Sequence, residues 1–234
     1  MLSFRFRWLL VLLGAIILAA TYTYPLWRPE PQINIERAGF PGLAEDLQQR
    51  FLELPANQQR AYLQMNEQNS MRALELLTAH LSPPGPLSEE EAALPPVENA
   101  VVAESGEFVP IEIPEDDEED RRLPPFYEAL YAEASGQFTI YQFPDNTRLL
   151  RIEDLNVVNG PDLHVALSPN PIPLSGEISE LGNIFIDIGP LKSNTGDQNY
   201  TSVPDASNVN LNNYNSVVIY DQTHRVIFAV APFE

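Results

Sequence analysis

No charged side chain stands between Arg7 and Arg28, and that stretch limits the chain more than any other feature. It is apolar from Trp8 through Ala20 and then passes into Thr21, Tyr22, Thr23, Tyr24, Pro25, Leu26 and Trp27. A helix of about 20 residues spans about 30 Å of hydrocarbon, so residues 1–28 read as a transmembrane signal-anchor. Trp8 at one end and Tyr22, Tyr24 and Trp27 at the other stand where interfacial aromatic belts lie. Arg5 and Arg7 precede the run and an acidic chain follows it, so the positive-inside rule places the N-terminus in the cytoplasm and the rest outside. A cleaved signal peptide has the same basic start and apolar middle, but Leu18-Ala19-Ala20 is a poor cleavage site. The sequence therefore predicts a single-pass membrane protein with an extracytoplasmic C-terminal domain.

Charge and cysteine content remove several classes of function. The formal net charge of −20 repels phosphates, which argues against a nucleic-acid partner. With no cysteine, disulfides, thiolate nucleophiles and thiolate metal ligands are all absent.

Past the anchor, residues 29–81 read as a short Pro-containing stalk and a helical hairpin. Leu43, Leu47 and Phe51 recur at a spacing of four, Pro55 breaks the pattern, and a second helical stretch runs to Leu81. His80 reads as a solvated helix-end histidine. Residues 82–125 are punctuated by prolines and carry the runs Glu89-Glu90-Glu91 and Glu115-Asp116-Asp117-Glu118-Glu119-Asp120. Such a segment has too little apolar surface to offset ordering entropy and reads as a disordered acidic linker.

Residues 126–234 read as a β domain. Phe138 and Ile140, Leu149 to Ile152, Leu163-Val165-Leu167, Ile184-Ile186-Ile188, Val217 to Tyr220 and Val226 to Val230 form short runs separated by Gly, Asn, Asp and Pro. That pattern predicts an antiparallel β-sandwich or barrel. In it His164 falls on the face opposite Leu163, Val165 and Leu167.

The motifs Asn159-Gly160-Pro161-Asp162-Leu163, Gly189-Pro190-Leu191-Lys192-Ser193-Asn194-Thr195-Gly196-Asp197-Gln198-Asn199-Tyr200, Ser216 to Tyr220 and Val226-Ile227-Phe228 with Ala231-Pro232-Phe233 occur in that order. Together they resemble the DM13 domain over residues 134–233. The resemblance implies a β-rich extracellular or periplasmic domain, often tethered or joined to other modules. It also implies a proposed part in electron transfer, linked to a recurrent cysteine after the strand that reads here Val218-Ile219-Tyr220. Asp221 holds that position. A carboxylate performs no thiol–disulfide exchange and is not a soft thiolate ligand.

His164 and His224 are then the candidate haem or copper ligands, although each also reads as an ordinary hydrogen-bonded histidine. Asn159, Asp162, Asp187, Asp197 and Asp221 offer oxygens for calcium, but Asn-Gly-Pro-Asp and Asn194 to Asp197 read first as tight turns. Lys192, the only lysine, is a candidate for holding an anionic ligand. Asn199-Tyr200-Thr201 fits an N-glycosylation sequon. No Ser/His/Asp set, phosphate loop or H-E-x-x-H motif is present, so the sequence predicts no enzyme. The expectation is a membrane-anchored binding or accessory module that requires no cofactor and faces an envelope or extracellular protein partner. The alternatives are an electron-transfer domain holding haem or a metal, and a calcium-dependent adhesion domain.

Overall fold

A computed structural model describes residues 39–85, 87–88, 93–94, 96–109, 134–171 and 181–234. The expected signal-anchor, residues 1–28, lies outside them. Among the described residues no helix is long and apolar enough to cross a membrane.

The helical segment is α1 (Glu45–Glu53), α2 (Ala56–Gln68) and α3 (Ser70–Leu81). The stripe of α1 is buried through Phe51, whose ring packs edge-on against Phe40 at 5.4 Å. Gln48 fixes the approach to α1: its amide accepts from the Phe40 N–H and donates to the Phe40 and Leu43 carbonyls. Pro55 caps α2, as its rigid φ and missing donor favour. The expected single helix from 56 to 81 is instead two. Asn69 is extended, with φ −153°, and its side chain accepts from the Arg72 N–H, so it ends α2 and caps α3. Tyr62, Met65, Leu76 and Leu77 form the shared core. His80 is not a solvated end residue: its Nδ1 lies 2.9 Å from the Tyr62 hydroxyl, and burial pushes its pKa down to about 4.

The β domain is a sandwich of two four-stranded antiparallel sheets. The first has β1 (Val101–Glu107), β2 (Ala134–Gln142), β3 (Arg148–Val157) and β6 (Thr195–Tyr200), in the order β1-β2-β3-β6. The second has β4 (Leu163–Ser168), β5 (Ile186–Pro190), β7 (Ser216–Asp221) and β8 (Val226–Pro232), in the order β5-β4-β7-β8. One edge stitches them together. The Phe108 N–H bonds to Gly136 in the first sheet, and the next N–H, of Val109, bonds to Val230 in the second. Gly106 permits this approach, since a Cβ there would sit 2.0 Å from the Pro232 carbonyl oxygen. The inner faces bury Phe138, Ile140, Leu150, Ile152, Val165, Ile219 and Phe228.

Two sequence expectations are corrected here. Residues 101–107 fall in the expected disordered linker, yet they pair with β2 from Val101↔Gln142 to Glu107↔Gln137. Pairing satisfies the backbone of a segment that its own side chains could not order. The linker also reaches β6, at the opposite edge of that sheet, where Asn199 donates to the Ala93 carbonyl. Asn194 to Asp197, read first as a turn, opens a strand: β6 starts at Thr195 and pairs with β3.

Candidate functional site

The two DM13-like motifs are far apart in sequence but meet in space. The segment leading into β4, residues 159–163, and the segment leading out of β5, residues 190–194, line one cleft of about 420 Å³. Backbone pairing brings them together: the Leu191 N–H donates to the Leu163 carbonyl at 2.7 Å. Pro83 and Gly85, just past α3, line the same cleft.

Gln198 sets the second motif. Its side chain is fully buried; its oxygen accepts from the Lys192 N–H at 3.2 Å and the Tyr200 hydroxyl at 2.7 Å, and its nitrogen donates to the Ser193 carbonyl at 2.8 Å. The Lys192 backbone is thus pinned while its side chain stays exposed, with the ammonium 5.5 Å from the centre of the Tyr200 ring. Asn194 donates to the Val157 carbonyl, and its side-chain oxygen is buried with no hydrogen-bond partner among the described residues.

Asp221 closes β7 and is fully buried. One carboxylate oxygen accepts from the His224 N–H at 2.6 Å and faces His224 Nδ1 at 2.9 Å. The other accepts from the Asp162 N–H at 3.2 Å. Asp221 therefore ties the β7–β8 turn to the loop that precedes β4. Asp162 returns the link, its carboxylate accepting from the Thr223 hydroxyl at 2.6 Å.

His224 lies in that turn. Its Nε2 is 2.9 Å from Glu75 of α3, and its carbonyl accepts from Arg72 at 3.2 Å. His164, on the strand face opposite Leu163, Val165 and Leu167, is only 9 % exposed. It lies on an internal strand beside Tyr220, and Phe185 stands edge-on to Tyr220 at 6.0 Å. His164 Nδ1 is 3.0 Å from Asp187, and Nε2 is 3.7 Å from Asp162. Tyr220 is pushed up to about 12, first by burial and then by the Asp187 and Asp162 carboxylates. Asp197 is not part of this cluster: it accepts from the Asp154 N–H at the β3–β6 bulge.

His224 does not suit the haem or copper centre that the two histidines suggested. Ligation needs a ring nitrogen lone pair directed at the metal. Both ring nitrogens of His224 face carboxylates within hydrogen-bonding distance, whereas His164 has Nδ1 on Asp187 and leaves Nε2 without a hydrogen bond. Among the described residues no group of three or more His, Asp or Glu is arranged to hold a metal ion. The sequon asparagine is also engaged, accepting from Arg151 and donating to Ala93.

Glu75, Gln198 and Tyr220 were not singled out in the sequence. Glu75 lies 149 residues from its partner, a separation that no local pattern encodes. Gln198 stood inside a recognised motif, but only burial reveals its amide as the hub.

Comparison with curated proteins gives no match, and comparison with solved structures gives none. Residues 127–233 match the family described as Electron transfer DM13. With the two motif loops converging on one cleft inside a two-sheet antiparallel fold, the C-terminal region of this chain is a DM13 domain.

Proposed function

We propose that this chain is a membrane-anchored, non-enzymatic accessory protein that presents its DM13 domain outside the cytoplasm as a binding module. The observation that carries the reading is Asp221. At the position where the resemblance implies a cysteine, the chain has a fully buried carboxylate whose oxygens hold the β7–β8 turn. A side chain used in this way supports architecture, and no thiol is present to exchange electrons. The charge-free run between Arg7 and Arg28 supports the tether.

The family description favours a second reading, electron transfer. In this chain it would proceed without a thiol and with both histidines already held by carboxylates. One purified preparation of the full chain separates the two. Our reading expects no visible chromophore and no stoichiometric metal. A Soret band or bound copper that disappears in His164→Ala or His224→Ala would establish the second reading instead. For the tether, the full chain is expected to stay in the pellet on carbonate extraction of membranes; release into the supernatant would remove it.

A further inference from the structure

α3 meets the DM13 sandwich at the β7–β8 turn, and the His224 ring lies between them. Its side chain is 8 % exposed and stands between two carboxylates. Nδ1 is 2.9 Å from the fully buried Asp221, and Nε2 is 2.9 Å from Glu75, whose side chain is 53 % exposed. A neutral imidazole carries one N–H and donates to one of the two, whereas the imidazolium donates to both. In the neutral ring the proton belongs on Nδ1, because Asp221 has no water to turn to and Glu75 does. The Nε2 lone pair then confronts the Glu75 carboxylate, and the tie to α3 becomes a repulsion. Among the described residues, the charged groups around the ring come from three places. Asp221 and the exposed Arg225 are on its own turn, Glu75 and Arg72 are on α3, and Asp162 of the segment leading into β4 accepts from the neighbouring Thr223. Arg72 donates to the His224 carbonyl at 3.2 Å, a bond that the ring proton does not govern.

We propose that His224 is the pin of a proton-dependent clasp: as the imidazolium it holds α3 against the β7–β8 turn, and on losing its proton it releases α3. Histidine is the side chain that ordinarily changes charge between pH 5 and 8, so mild acid closes the clasp and mild alkali opens it. The other two histidines do not compete for this role. Burial keeps His80 down at about 4, and His164 faces Asp187 and Asp162, both in the β domain. Release has a consequence at the cleft. Pro83 and Gly85, which line it, directly follow α3, so a departing α3 draws away one wall and opens the space between the two motif loops. The inference concerns the join between the helical segment and the domain, and it stands apart from what the cleft binds.

The chain has no cysteine, so a pair of nitroxide labels can be placed cleanly. Met71→Cys on α3 and Gln222→Cys on the β7–β8 turn are both exposed positions that flank the clasp. Dipolar broadening between the labels is read in the detergent-solubilised full chain at pH 5.5 and pH 8.5. The coupled fraction is expected to fall about fivefold from the lower to the higher pH. Glu75→Gln, at a half-exposed position, carries a carboxamide that donates to the neutral Nε2 and accepts from the imidazolium, so it is expected to stay coupled at both values. Circular dichroism is expected to be the same for the parent and the variant. If the coupled fraction of the parent does not fall between pH 5.5 and pH 8.5, or if Glu75→Gln loses its coupling at pH 8.5, the proposal is overturned.

Discussion

Asp221 has no solvent to fall back on. Its carboxylate meets two backbone N–H groups and one imidazole, and it is fully buried. Replacing it with alanine strands those donors in a dry environment. Hydrogen bonds to charged groups contribute more than neutral ones, and orphaned buried donors add their desolvation cost, so Asp221→Ala is expected to lower unfolding stability by about 3 kcal/mol. Asp221→Asn keeps one acceptor and is expected to cost roughly half as much. Asp221→Cys, which restores the residue implied by the resemblance, is expected to destabilise nearly as much as alanine, because a thiol is a weak acceptor. Urea titration of the three variants measures the order; a cysteine variant as stable as the parent would mean that the carboxylate is not the anchor of the turn. At this scale the sequence was partly readable. Asp221-Gln222-Thr223-His224 already has the Asx chemistry of a turn. That the carboxylate is fully buried, and that Glu75 reaches the same histidine, depends on packing that no local window contains.

Elements were readable where apolar side chains set the period, and unreadable where backbone pairing did. β4, β7 and β8 bury nearly every residue, and their Val, Ile and Leu runs announce them. β1 reads Val-Val-Ala-Glu-Ser-Gly-Glu, with Val101 and Val102 exposed, and owes its strand to hydrogen bonds from β2. β6 is likewise polar and lies at a sheet edge. Asn69 is a capping residue type, but the helical pattern runs on both sides of it, so periodicity alone does not show the break. Packing of α3 against α2 gives this segment a pH signature. Burial lowers the His80 pKa from 6.5 to about 4, so between those values the unfolded chain binds more protons than the folded one. Stability from this residue is therefore complete above pH 6.5 and falls as the pH drops toward 4, by at most about 3 kcal/mol. In His80→Gln this component is expected to vanish. Parallel urea titrations of both proteins at pH 7 and pH 5 isolate it from carboxylate effects common to the two; an identical loss in the variant would mean that His80 is not the group being titrated.

For the whole molecule, the family match and the folding unit have different limits. The match starts at residue 127, while the sandwich takes in β1 at residues 101–107. Without β1, the edge of β2 is unpaired, the Phe108 ring is lost from its edge-on place 6.5 Å from Phe138, and the stitch from Val109 to Val230 is gone. The Glu234 N–H also loses its acceptor, the Ser105 carbonyl. Burial of a phenylalanine side chain alone is worth about 1.5–3 kcal/mol, before the unpaired edge is counted. Because 1 kcal/mol moves the melting temperature of a domain this size by several degrees, a fragment of residues 127–234 is expected to melt about 10 °C or more below one of residues 96–234. The exposed β2 edge is also a template for pairing between molecules, so the shorter fragment is expected to aggregate on concentration where the longer stays monodisperse. Calorimetry and light scattering on the two fragments decide the matter. Equal melting temperatures would mean that β1 only rests on a sandwich already complete, and the acidic segment before the DM13 match would return to being a spacer.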